Sequence, residues 1–134
     1  MTGEERQLLD RASDARARAY APYSGLRVGC ALRAADGRVF TACNVENAAY
    51  PATMCAERNA VGQAVAAGAR RFVALAVVGD GERATPPCGT CRQVLFEFAP
   101  DMVVLAGGAG GATARYHLAR DLLPDAFSPG DLRG

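Results

Sequence analysis

The run FVALAVVG, residues 72–79, constrains the architecture more than any other stretch. It is uncharged, too short to span a bilayer and rich in β-branched residues, which suits a strand buried on both faces. Such a strand needs a covering layer on each side, and the flanking sequence supplies them. Leu8, Leu9, Ala12, Ala15 and Ala19 recur at helical spacing among charged residues, predicting an amphipathic helix over 4–19 that stops before Pro22. Two β-rich runs joined at Asp36-Gly37 predict a hairpin. Further helices are expected over 55–67, ending at Gly68, and over 88–98. MVVLAG and ATARYHL read as strands, with GGAGG at 107–111 as a loose hairpin tip and the most flexible interior segment. A short helix over 118–123 then precedes a turn-rich tail, PDAFSPGDLRG. Strand pairs alternating with helices predict an α/β fold, a three-layer α/β/α sandwich on a mixed five-stranded sheet, as one domain over 1–134.

Charge narrows the function classes. The chain has 15 basic and 14 acidic residues, and every basic residue is arginine, with no basic run longer than Arg70-Arg71. A net charge of +1 offers no footprint for a nucleic-acid backbone or an anionic membrane, so neither is expected as a partner. The opening MTGEERQLLDRA lacks the apolar core of a secretory signal, which points to a cytoplasmic location. There thiols stay reduced, so five cysteines suggest metal binding or catalysis before disulfides.

Three of them stand in a chemically suggestive pattern: Cys55 two residues before Glu57, and Cys88 three before Cys91. Cys55 opens one predicted helix, and Cys88 and Cys91 fall in the first turn of another. Backbone N–H groups at helix starts favour thiolate over thiol. Two such starts converging would hold Zn²⁺ with three sulfurs and leave a fourth position open, as catalytic zinc sites do. Glu57 can reach that space and move protons. Three thiolates overcompensate the metal's charge, and Arg58 can offset the excess by hydrogen bonding to the sulfurs.

Cys-Ala-Glu followed by Pro-Cys-x-x-Cys resembles the zinc-dependent nucleotide deaminases. AYAPYSGLRVG at 19–29, GRVFTACNVENAAY at 37–50, CAER at 55–58, PCGTCRQVL at 87–95 and LLPDAF at 122–127 narrow the likeness to the small homotetrameric cytidine deaminases. The resemblance implies one zinc per chain on Cys55, Cys88 and Cys91, with Glu57 as proton shuttle and a pyrimidine nucleoside as substrate. It implies that Asn44 and Glu46 grip the ribose 3′-hydroxyl, and that the backbone around Ala56 reads the cytosine edge. Phe127 matches an aromatic given to a neighbouring subunit's site, within a homotetramer that serves pyrimidine salvage. Leu26 departs from the family, which has phenylalanine there against the pyrimidine; losing the aromatic geometry costs roughly 0.5–1.5 kcal/mol of binding.

Plainer readings of the same residues stand beside these. Cys88-x-x-Cys91 is also the spacing of a redox pair. A structural zinc site would need a fourth ligand from Cys30, Cys43 or His117. Cys30 and Cys43, within the hairpin strands, read as small buried hydrophobes. Arg92 reads as a helix surface residue, and Tyr23 and Tyr50 as packing residues. A polynucleotide deaminase would show a basic or aromatic groove, which the near-neutral charge and absence of tryptophan disfavour.

Overall fold

The computed structural model describes residues 1–133. Helix α1, Gly3–Arg16, leads into strands β1, Val28–Ala34, and β2, Val39–Cys43. A 3-10 turn at Tyr50–Ala52 precedes α2, Ala56–Ala66, then β3, Phe72–Gly79, and α3, Gly89–Phe98. Strands β4, Val103–Gly107, and β5, Thr113–His117, lead to a π turn at Leu118–Leu122 and a short α4, Pro129–Leu132.

The sheet order is β2-β1-β3-β4-β5, with β3 and β4 parallel and the other pairs antiparallel. The expected five-stranded mixed sheet is therefore present. Alternation along β3 explains the three layers. Ala74, Ala76 and Val78 pack with Leu8, Leu9 and Ala12 of α1 on one face. Leu75 and Val77 pack with Ala56, Ala60 and Ala64 of α2 and Leu95 of α3 on the other.

Helix α1 closes its first turn with a reciprocal cap: Thr2 Oγ1 accepts from Glu5 N–H at 3.1 Å, and Glu5 Oε1 accepts from Thr2 N–H at 2.9 Å. The helix lies so close to β1 at Gly29 that a Cβ there would collide with the Ala12 carbonyl. The Asp36-Gly37 turn is present, with Gly37 at φ 96°.

Several boundaries differ from the sequence reading. Helix α1 ends at Arg16 rather than near Ala19. Cys55 and Cys88 do not lie within helices: each is the extended residue that caps one, with no side-chain cap bond. The glycine-rich tip between β4 and β5 is tied down rather than loose. Ala109 N–H donates to the Gly81 carbonyl at 2.9 Å, and Gly108 lies so close to the 81–83 backbone that a Cβ would meet its carbonyls at 2.5–2.8 Å. No described helix is long and apolar enough to cross a membrane.

Candidate active site

Strand β3 ends at Gly79, and an irregular stretch carries the chain to Cys88 at the start of α3. Strand β2 ends at Cys43, and the chain returns through the Tyr50–Ala52 turn to Cys55 at the start of α2. Both helices thus begin near the same end of the sheet. The Sγ atoms of Cys55, Cys88 and Cys91 all lie within 4.8 Å of one another, and Cys55 and Cys88 Sγ are 3.9 Å apart. Zinc with 2.3 Å bonds at tetrahedral angles separates its sulfurs by about 3.8 Å, so the spacing and soft thiol chemistry fit that metal.

Among the described residues no fourth ligand joins this group. Cys30 is fully buried, and burial pushes its thiol well up. Cys43 stays on β2. His117 instead caps the turn after β5: its Nδ1 accepts from Arg120 N–H at 3.0 Å. A closed structural site therefore lacks its last donor. A simple redox pair is disfavoured too, because Cys55 joins Cys88 and Cys91.

Electrostatics within the group are uneven. The adjacent Cys91 sulfur first, then the Arg58 guanidinium and the Cys88 sulfur, hold the Cys55 thiol down to about 5 against desolvation. The neighbouring Cys55 sulfur, and then burial, push the Cys91 thiol up. Arg58 Nη2 lies 3.7 Å from Cys55 Sγ and donates to the Thr53 carbonyl at 3.1 Å, while its buried Nε has no partner. Glu57 is only 4% exposed. Burial pushes its carboxyl up to about 7, opposed by its own N–H and reinforced by the charge on Cys55. That value suits a group that both accepts and releases a proton near neutrality.

A cavity of ≈190 Å³ opens here, with Cys55, Glu57, Cys88, Ala56 and Asn44 among its lining residues. Larger hollows occur elsewhere, one of ≈420 Å³ beside Arg38, Arg70 and Arg71, but none of those others holds a cysteine cluster or a buried acid. Next to the cysteine cavity, Tyr23, Ser24, Glu46, Asn47 and Tyr50 line a more open hollow of ≈430 Å³. Thr53 belongs to both.

The remaining residues singled out from the sequence are distributed around these hollows. Asn44 is buried and spans the chain before β1, donating from Nδ2 to the Leu26 carbonyl and accepting at Oδ1 from Val28 N–H, both at 2.9 Å. Glu46 Oε1 accepts from the N–H groups of Tyr23 and Ser24 at 3.0 and 3.1 Å, and Oε2 from the Ser24 hydroxyl. The hydroxyl bond first, then these amides, hold its carboxyl below the usual range. Leu26 is 62% exposed and Phe127 59%, and neither side chain lines the cysteine cavity within one chain. Tyr23 and Tyr50 meet edge to face at 6.3 Å while both remain exposed.

Sequence reasoning missed Thr53, Thr85, Val28 and Val77 in the cavity wall. The valines follow from strand alternation, whereas nothing local marks the threonines. Arg92, read as a surface residue, is instead half-buried, with two main-chain carbonyls as partners.

The family model described as the cytidine and deoxycytidylate deaminase zinc-binding region matches residues 2–107. The cytidine deaminase of Sporosarcina psychrophila is 47% identical over 94% of this chain and 93% of its own length. That of Mycobacterium tuberculosis H37Rv is 42% identical over 93% of this chain and 90% of its own. The crystal structure of the Burkholderia pseudomallei cytidine deaminase superposes with a TM-score of 0.88 at 47% identity, covering 95% of this chain and all of that one. With its paired cysteine-capped helices and buried glutamate, the chain belongs to the zinc-binding cytidine and deoxycytidylate deaminase family.

Proposed function

We propose that the protein hydrolyses the C4 amino group of cytidine and 2′-deoxycytidine, giving uridine or 2′-deoxyuridine and ammonia in pyrimidine salvage. The observation that carries this reading is the buried Glu57 carboxylate lining the same small cavity as Cys55 and Cys88, two of the three clustered thiols. Zinc held by Cys55, Cys88 and Cys91 supplies the Lewis acid that makes water nucleophilic at neutral pH. Glu57 performs the proton transfers: it takes a proton from the attacking water and passes it to N3, then takes the remaining proton from the hydroxyl formed at C4 and delivers it to the departing amine, ending ionised as it began. Arg58 offsets the excess negative charge of the thiolates from beside Cys55.

The base enters the cysteine cavity, with the Ala56 backbone along its edge. The sugar occupies the outer hollow beyond Thr53, where Glu46 exchanges one of its present bonds for the 3′-hydroxyl and Asn44 approaches from the inner side. Leu26, whose carbonyl is held by Asn44, covers the outer face of the pyrimidine. The enzyme works in the cytoplasm as a homotetramer, in which Phe127 completes a neighbour's site. The exposure of Phe127, Leu26, Tyr23 and Tyr50 in the single chain supports that assembly.

The test is the loss of ultraviolet absorbance as cytidine and deoxycytidine are converted, with zinc counted per chain and Glu57→Gln as control. Turnover by the zinc-loaded wild type and a dead variant are expected. A fully loaded wild type that turns over neither nucleoside would overturn the reading.

A further inference from the structure

The two residues after Cys91 hold the C-terminal segment. Arg92 Nε donates to the Pro87 carbonyl at 2.7 Å and Nη1 to the Leu122 carbonyl at 3.0 Å, and both bonds are partly buried. Gln93 Nε2 donates to the Phe127 carbonyl at 2.9 Å.

The bond to Pro87 falls on the carbonyl immediately before Cys88, one of the three clustered thiols. The Pro87 carbonyl belongs to the peptide plane that presents Cys88, the exposed member of the three thiols. Cys88 starts α3 without a side-chain cap, and residues 80–88 before it form no regular element. The guanidinium fixes the orientation of that plane and, with its other arm, the turn from which the 123–127 segment departs.

We propose that Arg92 is a positioning residue that couples docking of the C-terminal segment to metal retention at Cys88. The proposal rests on Cys55, Cys88 and Cys91 being the zinc site. A planar fork can serve two carbonyls in fixed directions, which a lysine ammonium cannot reproduce. Coupling through one side chain is reciprocal: metal binding steadies the turn at Leu122, and docking of that turn on Arg92 strengthens metal binding, while the Phe127 end held by Gln93 stands outside the coupling.

The experiment uses full-length protein with zinc counted first. Zinc transfer to a colorimetric chelator and deuterium exchange over 118–127 are followed in wild type, Arg92→Gln, Arg92→Lys and Gln93→Ala. Arg92→Gln is expected to release zinc about tenfold faster, as loss of other supports of metal ligands does. Stripping zinc from the wild type should speed exchange at the turn around Leu122, whereas Arg92→Gln should exchange fast there with or without metal. Gln93→Ala should loosen the segment near Phe127 yet keep the wild-type zinc release, separating a merely structural tie from a coupled one. Arg92→Lys should not restore either readout.

Wild-type zinc release in Arg92→Gln, or exchange in the wild type that ignores zinc, would overturn the proposal. If Arg92→Gln fails to fold, the comparison of loaded and stripped wild type decides alone. A wild type that binds no zinc overturns the metal reading and this proposal together. A loaded wild type with an unaltered Arg92→Gln overturns only the coupling.

Discussion

Glu57 occupies the first turn of α2, where helix N–H groups favour its charged form, yet burial outweighs them. Glu57→Gln should lower turnover by about 10²–10⁴-fold, the range for a positioned acid–base group, with zinc content unchanged by metal analysis. The same displaced titration has a stability signature in metal-stripped protein. Between the ordinary 4.5 and about 7, the native state keeps a proton that the unfolded chain has released. Rising pH therefore removes stability across that window, an effect a permanently neutral glutamine lacks. The melting temperature of stripped Glu57→Gln should gain on stripped wild type from about pH 5 to 7; a constant gap would show that the carboxyl titrates normally. On the proposed placement of Leu26 over the base, Leu26→Phe should lower the Michaelis constant roughly two- to tenfold, the equivalent of about 0.5–1.5 kcal/mol. An unchanged or higher constant would mean that Leu26 does not cover the ring.

Between elements, two contacts hold α1 and the chain entering β1 to the sheet. Helix α1 rests on β1 through Gly29, where any Cβ would run into the main chain at Ala12 and Arg16. Backbone cannot yield as a flexible side chain does, so Gly29→Ala should cost about 3 kcal/mol or more in chemical denaturation. At the sheet end nearer the site, Asp80 accepts from Arg27 N–H at 2.9 Å and from Arg27 Nε at 3.2 Å, with Arg16 Nη1 at 3.6 Å. Desolvation pushes its carboxyl up, but these donors win and hold it below 3.8. Its contribution is present above that value and lost as the pH falls through the depressed one. Asp80→Asn should thus melt earlier than wild type at pH 7 but lose that handicap in strong acid. Element identity was legible because β3 is uninterrupted by charge and α1 repeats at helical spacing. Helix starts were less legible, since Cys55 and Cys88 lack the oxygen that marks a capping side chain. The Ser128-Pro129-x-Asp131 start of α4 does carry that signature, with Asp131 accepting from Ser128 N–H at 2.7 Å, but a helix this short gives no periodicity to support it. Thr53 and Thr85 were invisible because only the folded sheet brings their distant segments together.

For the molecule as a whole, the exposed Tyr20, Tyr23, Tyr50 and Phe127 make the proposed assembly the feature to test. Sedimentation should find four 13.9 kDa chains, and Phe127→Ala should impair turnover while leaving zinc bound. A fully active monomer would remove Phe127 from the machinery. The two cysteine-capped helices carry a last consequence, for how this sequence can drift. Serine at a helix start contributes roughly 0.5–2 kcal/mol relative to a residue that cannot cap. Positions 55 and 88 are therefore places where the change that best secures the empty scaffold would also deprive it of its metal. Stripped Cys88→Ser should outlast stripped wild type on heating, although it can no longer be reloaded. Selection for robustness alone would push both positions away from cysteine, and retained cysteines there record a chain held to its chemistry.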